Sequence, residues 1–194
     1  MQWNIPNILT LLRIVLIPVL VVVFYLPGPW SYQISALIFG VAAITDWLDG
    51  YLARRLQQTS PFGAFLDPVA DKLMVAVALV LLVQDNPSEL FAVPAAVIIG
   101  REIVISALRE WMAEIGARTR VAVSIVGKVK TTLQMIAILL LLYKIPVGTF
   151  PTHMVGVILL YIAAILTLWS MFVYLRAAWP ILSGKEAHSP QDGA

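Results

Sequence analysis

Six long apolar stretches, separated by short turn sequences, constrain the fold of this chain more than any other feature. A helix of about 20 apolar residues crosses the hydrocarbon core of a bilayer. The stretches cover residues 8–26, 32–56, 65–83, 91–112, 121–143 and 154–175. The gaps at 26–30, 84–88 and 144–151 contain the proline, glycine and polar residues that are typical of turns. The sequence therefore predicts an all-α integral membrane protein with six transmembrane helices.

The low charge content of the chain excludes the water-soluble classes of protein. Of its 194 residues, 60% are hydrophobic and 12% are charged, whereas soluble domains have about 25% charged residues. The net charge of +2 is too small to indicate a nucleic-acid partner. The chain has no cysteine, which excludes disulfides, thiolate metal sites and cysteine nucleophiles.

Basic residues are concentrated at one end of the predicted helices, and this asymmetry predicts their orientation. The gaps on the other side contain one of the 13 lysines and arginines, Lys144. Cytoplasmic loops are enriched in Lys and Arg, so we expect both termini and the loops at 55–64 and 113–120 to be cytoplasmic. Residues 1–184 would form one transmembrane domain, followed by a disordered cytoplasmic tail at 185–194.

Four aspartates lie close together at the predicted cytoplasmic ends of the second and third helices. Asp46 and Asp49 are three residues apart and Asp67 and Asp71 are four apart, so each pair shares a helix face. A short loop makes the two helices antiparallel neighbours, which places both pairs at one level just inside the membrane. Carboxylates are costly in a membrane span and mark a functional site by default.

A set of carboxylate ligands without histidine or cysteine favours the binding of Mg²⁺, Mn²⁺ or Ca²⁺. Four negative charges match two divalent ions, and a two-metal site clamps the attacking and leaving oxygens of a displacement at phosphorus. Gly50, Ala53 and Gly63 leave space for a substrate beside the acids, and Arg54 can bind a diphosphate through two hydrogen bonds. In the alternative interpretation, Gly50 and Ala53 pack helices and Arg54 is a cytoplasmic anchor.

These residues follow a highly specific spacing, Asp-x2-Asp-Gly-x2-Ala-Arg-x8-Gly-x3-Asp-x3-Asp, which runs from Asp46 to Asp71 without a departure. In this motif the chain resembles the CDP-alcohol phosphotransferases. The resemblance implies a six-helix membrane enzyme, usually a homodimer, around a cytoplasm-facing polar cavity. Such enzymes attack the β-phosphorus of CDP-diacylglycerol with an alcohol and release CMP. The resemblance also implies Mg²⁺ or Mn²⁺ as cofactor and a bacterial cytoplasmic (inner) membrane as location.

The resemblance assigns roles to the motif and to residues near it. Asp46, Asp49 and Asp67 would bind metal, and Asp71 would complete the metal site and act as general base, with Asp67 also counted as catalytic. Asn7, Thr10 and Arg13 share roughly one helix face near the nucleotide, although Asn7 could instead cap the first helix. The residues expected to bind the CDP moiety are Thr10, Arg13, Thr45, Asp49, Gly50, Ala53, Arg54 and Gly63.

Three flanking stretches, at 4–13, 101–116 and 121–132, resemble the family members that use sn-glycerol 3-phosphate as acceptor. Its dianionic phosphate needs cations that lie away from the metals. The predicted phosphate-binding residues are Arg101, Arg109, Lys128 and Lys130. Alternatively, Arg101 pairs with a nearby glutamate and the two lysines are cytoplasmic anchors. The expected partners are CDP-diacylglycerol, glycerol 3-phosphate, membrane lipids and a second copy of the chain, with no nucleic acid.

Other functions remain open at this stage. A sister enzyme that uses inositol phosphate or serine would keep all four aspartates. A divalent-cation transporter would explain the acids but not the spacing of Gly50, Ala53, Arg54 and Gly63. A polyprenyl transferase would place its aspartates in two separated motifs, unlike this chain. A ladder of small residues at Ala92, Ala96 and Gly100 suits close helix packing, either within the chain or between two copies.

Overall fold

A computed structural model of the chain describes residues 5–56, 61–115 and 125–182, and these residues form six α-helices. The helices are α1 (Ile5–Tyr25), α2 (Ser31–Leu56), α3 (Pro61–Asp85), α4 (Glu89–Glu114), α5 (Ile125–Tyr143) and α6 (Thr152–Leu182). Each helix overlaps one of the six apolar stretches, and the all-α prediction is confirmed. The predicted tail at 185–194 and most of the loop at 113–120 lie outside the described residues.

Four of the described helices, α1, α2, α4 and α6, are long and apolar enough to cross a membrane. Helix α5 has a shorter apolar segment, Val129–Tyr143. Helix α3 carries Asp67, Asp71 and Lys72 in its first half, which lowers its hydropathy there. The described helices fit a multi-pass membrane protein, and α3 and α5, the two that do not meet this criterion over their described residues, both carry residues predicted for the site.

The six helices pack around one apolar core. Helix α1 contacts α2 and α3, α5 contacts α2 and α6, and α4 contacts α3 and α6. Every helix contributes to the core, through residues that include Leu20, Phe39, Leu79, Ile98, Ile138 and Leu160. The outer faces are also apolar, with Val15, Trp47, Phe65, Ile103 and Trp169 exposed among many others. An apolar exterior around an apolar core is what a bundle in lipid requires.

Helices α5 and α6 pack closely together at Gly156. A Cβ atom at this position would lie 2.8 Å from Cγ of Leu141, too close without a shift of α5. Small residues allow such close contact between membrane helices. In contrast, Ala92 and Ala96 of the small-residue ladder are exposed, and a Cβ at Gly100 would meet no described atom within 4 Å. The ladder therefore faces outward at Ala92 and Ala96, and among the described residues a side chain at Gly100 would also meet open space.

The bundle has two polar ends. At one end, α2 finishes and α3 begins near the four aspartates. At the other end, Lys144 follows α5 in the left-handed conformation, with φ of 62°. Its Nζ atom lies 2.7 Å from Oδ2 of Asp85 and 4.4 Å from the ring centroid of Tyr32. The Tyr32 hydroxyl donates to Oδ1 of the same aspartate at 3.2 Å. This contact joins α2, α3 and the end of α5.

Candidate active site

Arg13 of α1 is the centre of the first part of the site. Its NH1 atom lies 2.8 Å from Oδ1 of Asp46, and its NH2 group donates to Oδ2 of Asp49. The Arg13 side chain is 1% exposed. A guanidinium can be buried to this extent because two carboxylates on α2 compensate its charge.

Thr10, one turn before Arg13, connects α1 to the second pair of aspartates. Its buried hydroxyl donates to Oδ1 of Asp67 on α3. Asn7, a further turn back on the same face, is also buried. Asn7, Thr10 and Arg13 therefore lie on one face of α1, and Thr10 and Arg13 on this face contact the aspartates. The structure brings Thr10, Arg13, Asp46, Asp49 and Asp67 together.

The remaining residues predicted for the nucleotide are described only in part. Thr45 is buried, and its hydroxyl donates to the carbonyl of Ala42 in its own helix at 2.8 Å. Gly63 is buried in the first turn of α3. Gly50, Ala53 and Arg54 belong to the last two turns of α2, but their surroundings lie outside the described residues.

The donor set fits a hard divalent cation. Four carboxylates on neighbouring helix ends, without histidine or cysteine, supply the oxygen ligands that Mg²⁺ and Mn²⁺ prefer. In this conformation three of the four carboxylates already have partners on α1: Asp46 and Asp49 bind Arg13, and Asp67 accepts a hydrogen bond from Thr10. Within the described ranges, no three acidic, histidine or cysteine side chains converge on one point.

Asp71 belongs to a second part of the site, a cavity of about 320 Å³ between α3, α4, α5 and α6. Of the four aspartates, all of which are described, Asp71 is the one that lines this cavity. The charged lining residues are Asp71, Lys72, Arg101, Glu102, Arg109 and Lys130, with a net charge of +2 at pH 7. The cavity is therefore basic apart from two carboxylates, and one of those belongs to the family motif.

Two of the predicted phosphate ligands share one carboxylate. Oε1 of Glu102 accepts from NH1 of Arg101 at 2.6 Å and from Nζ of Lys130 at 3.0 Å. Both cations are buried. The pairing of Arg101 with a glutamate is thus present, yet Arg101 still lines the cavity. Its Nε atom is buried and has no hydrogen-bond partner among the described residues. The side chain of Lys128 lies outside the described part of the chain.

Helix α6 supplies residues that the sequence analysis missed. The hydroxyl of Tyr174 accepts from NH2 of Arg109 at 3.0 Å, and its ring centroid lies 5.2 Å from Cζ of Arg109. Cζ of Arg101 lies 5.9 Å from the same centroid, and its NH2 donates to Ser170 at 3.4 Å. Tyr174 therefore contacts both arginines of α4. A tyrosine in an apolar helix gives no sequence signal that separates this role from ordinary core packing.

Lys72, next to Asp71, joins α3 to α4. Its Nζ donates to the hydroxyl of Ser106, which in turn donates to the main-chain carbonyl of Glu102. Lys72 is therefore held at the rim of the cavity and contributes one of its positive charges.

Comparisons with known proteins agree with the motif. Residues 3–169 match the profile of the family described as CDP-alcohol phosphatidyltransferase. A Salmonella choleraesuis (strain SC-B67) protein is 58% identical over 178 residues, which are 92% of this chain and 96% of that protein. A Pseudomonas fluorescens relative is 60% identical and covers 92% of each chain. One from Pectobacterium atrosepticum (strain SCRI 1043) is 60% identical and covers 92% of this chain and 96% of its own. All three are named CDP-diacylglycerol–glycerol-3-phosphate 3-phosphatidyltransferase.

Proposed function

The chain belongs to the CDP-alcohol phosphatidyltransferase family, and on that premise we propose that it transfers the phosphatidyl group of CDP-diacylglycerol to sn-glycerol 3-phosphate. The products are phosphatidylglycerophosphate and CMP. The chain is a phosphatidyltransferase, in agreement with the names of relatives that are 58–60% identical to it, and its apolar helices fit a multi-pass membrane protein.

The cavity beside Asp71 is the observation that carries the choice of acceptor. A phosphate monoester has about two negative charges at pH 7, and the lining of the cavity has a net charge of +2. Glycerol 3-phosphate has a hydroxyl at one end for Asp71 and a phosphate at the other for Arg101, Arg109 and Lys130. Serine has no phosphate and would leave these cations uncompensated. The lining therefore favours a phosphorylated acceptor.

Asp71 is the general base in this proposal. A base must reach the proton that it removes, and Asp71 contributes the carboxylate of the motif that lines the acceptor cavity. It takes the proton of the terminal hydroxyl as that oxygen bonds to the β-phosphorus of CDP-diacylglycerol. The bond from this phosphorus to the bridging oxygen breaks, and CMP leaves with the electron pair.

Asp46, Asp49, Asp67 and Asp71 are the residues that would hold divalent metal, in a two-metal site of Mg²⁺ or Mn²⁺. Enzymes of this family generally use divalent metals, and such ions neutralise charge on phosphate oxygens. Arg13 and Thr10 hold three of these carboxylates on the side of α1. We assign the CDP moiety to this region, next to Thr45 and Gly63 and to the end of α2 with Gly50, Ala53 and Arg54. Lys128 belongs with the acceptor ligands in this proposal.

The proposal places the enzyme in the bacterial inner membrane as a homodimer with six spans and a cytoplasm-facing site. The bacterial relatives and the basic residues at the aspartate end support the location and orientation. The outward-facing ladder of Ala92, Ala96 and Gly100 offers a surface where a second copy could pack closely.

The first test is CMP release by the purified protein in detergent with CDP-diacylglycerol and Mg²⁺. Glycerol 3-phosphate, inositol 1-phosphate and serine are supplied separately, and metal-dependent release with glycerol 3-phosphate is expected. Release with another acceptor would overturn the assignment of the acceptor, and ion flux in liposomes without release would favour a cation transporter.

Asp71→Asn tests the proposed base within the same assay. We expect it to abolish CMP release, because an amide cannot take the proton, while the protein remains folded. The matched control is Asp85→Asn, which changes an aspartate at the opposite end of α3 and should retain activity. Full activity of the Asp71 variant would contradict the assignment.

A further inference from the structure

Gln134 is a polar residue of the cavity to which neither the motif nor the charge pattern gives a role. It belongs to the apolar segment Val129–Tyr143 of α5 and lines the cavity together with Asp71, Arg101 and Lys130. The residue is 4% exposed. Its Oε1 atom is buried without a hydrogen-bond partner among the described residues.

An unpaired amide inside an apolar helix bundle is unfavourable. Moving an amide group out of water costs free energy unless another polar group replaces its hydrogen bonds to water. The described ion pairs of Lys130 and Arg101, which line the same cavity, are with Glu102 and not with this amide. A methionine or leucine would fill the same volume without this cost. The position therefore indicates a ligand group that completes the hydrogen bonding of the amide.

The placement of Gln134 indicates which ligand group this is. It lies four residues after Lys130, on the same face of α5. The basic residues of the cavity are expected to bind the phosphate, and Asp71 is expected to bind the attacking hydroxyl. An uncharged amide suits the remaining group of glycerol 3-phosphate, its middle hydroxyl. A hydroxyl both donates and accepts, so it can pair with either end of the amide.

We propose that Gln134 binds the middle hydroxyl of the acceptor and determines the preference for a glycerol phosphate over acceptors that lack this group. The inference rests on the proposed function and deepens it. Gln134 is a specificity-determining residue in this scheme and takes no part in proton transfer.

The test compares glycerol 3-phosphate with 3-hydroxypropyl phosphate, which keeps the phosphate and the terminal hydroxyl but lacks the middle one. Sites built to bind a hydroxyl discriminate strongly against an analogue without it. The wild-type protein should prefer glycerol 3-phosphate in kcat/KM, and Gln134→Met should reduce this preference by at least about tenfold. The KM for CDP-diacylglycerol should not change.

Thermal stability in detergent separates this role from a structural one. Gln134→Met replaces an unpaired amide with an apolar side chain of similar length, so the melting temperature should stay the same or rise. Gln84→Met, at the other end of the bundle, is the matched control and should keep the wild-type acceptor preference. If the methionine variant does not fold, Gln134→Asn keeps the amide but shortens its reach, and the same loss of preference is expected.

The possible failures are distinguishable. A wild-type protein that releases no CMP with glycerol 3-phosphate contradicts the proposed function itself. A wild-type protein that is active but accepts both compounds equally overturns the role of Gln134. An unchanged preference in the variants overturns it as well.

Discussion

Glu102 is a carboxylate in a cavity that we propose binds an anion, and at the scale of single residues this is the least expected feature. Its negative charge repels a phosphate, but its Oε1 atom also holds Arg101 and Lys130 at 2.6 Å and 3.0 Å. Without it, two buried cations would lie close together without compensation. We interpret Glu102 as a positioning residue that fixes both cations before the phosphate binds.

The two effects of Glu102 have opposite signs, which makes a substitution informative. Glu102→Gln removes a repulsive charge, which would lower the KM for glycerol 3-phosphate, and loosens both cations, which would raise it. Because misplaced ligands are costly, we expect a KM about tenfold higher, with an unchanged KM for CDP-diacylglycerol. Steady-state kinetics measures both values.

The control for this substitution is Glu110→Gln, which changes an exposed glutamate of the same helix. A double-mutant cycle with Lys130→Met provides a second readout. If Glu102 acts through Lys130, the double variant should resemble the Lys130 variant alone. A lower KM in Glu102→Gln would show that repulsion dominates, contrary to the positioning role.

The sequence identified the charged residues of the site because charges in apolar helices are conspicuous. Arg101, Arg109 and Lys130 were predicted from this contrast, and all three line one cavity. Tyr174 and Gln134 were not identified, because an uncharged polar residue in an apolar helix looks the same whether it faces a cavity or the core. Only the arrangement of α3, α4, α5 and α6 around the cavity distinguishes these cases.

At the scale of helices, the contact between Lys144, Asp85 and Tyr32 connects the ends that lie farthest from the site. The pKa of Lys144, which lies outside the apolar spans, responds to opposing influences. Partial burial lowers it, but hydrogen bonds to Asp85 and Tyr32 outweigh burial and raise the pKa above its ordinary value of 10.5. A raised pKa means that folding favours the protonated lysine.

The sign of this shift fixes a pH dependence. The stabilisation is fully present at neutral pH and is lost as pH rises through the raised pKa of Lys144. Lys144→Met should therefore lower the melting temperature in detergent near pH 7. Its deficit should shrink as pH rises above 10.5, which scanning fluorimetry across a pH series would measure.

Asp85→Asn is the partner variant for this experiment. Because both substitutions break one contact, the double variant should be little worse than either single variant. The effect should be modest, since partly exposed ion pairs contribute little. A deficit that stays constant at all pH values would instead indicate a packing role for the lysine stem.

The helices themselves were predictable, and their ends less so. The long apolar stretches identified six helices, but α6 continues to Leu182, beyond the predicted end at 175. Residues 176–179 are arginine, two alanines and tryptophan, which permit a helix to extend past its apolar segment. Apolar length marks where a helix crosses lipid, whereas residues that favour a helix can extend it beyond the apolar segment.

At the scale of the whole molecule, the number of membrane crossings follows from how the helices are connected. Four described helices are long and apolar enough to span by themselves, whereas α3 carries Asp67, Asp71 and Lys72 in its first half and the apolar segment described for α5 is shorter. Three residues connect α3 to α4, so these contacting helices run antiparallel. Helix α5 has 19 residues, a length of about 28 Å, close to the hydrocarbon thickness of about 30 Å. Both helices are therefore proposed to span, with their charged ends at the cytoplasmic surface.

Cysteine labelling can count these crossings, because the chain has no cysteine of its own. Six spans place Ser88 outside and positions 60 and 118 in the cytoplasm. If α3 and α5 did not span, Ser88 would be cytoplasmic and position 118 would be outside. We therefore expect a membrane-impermeant maleimide to label Ser88→Cys in intact spheroplasts, and to label Ser60→Cys and Arg118→Cys only after lysis. The opposite pattern at Ser88 and Arg118 would leave α3 and α5 outside the count of spans. It would also place the acceptor cations of α4 and α5 away from the cytoplasmic pool of glycerol 3-phosphate, so the same labelling tests whether the proposed site faces its substrate.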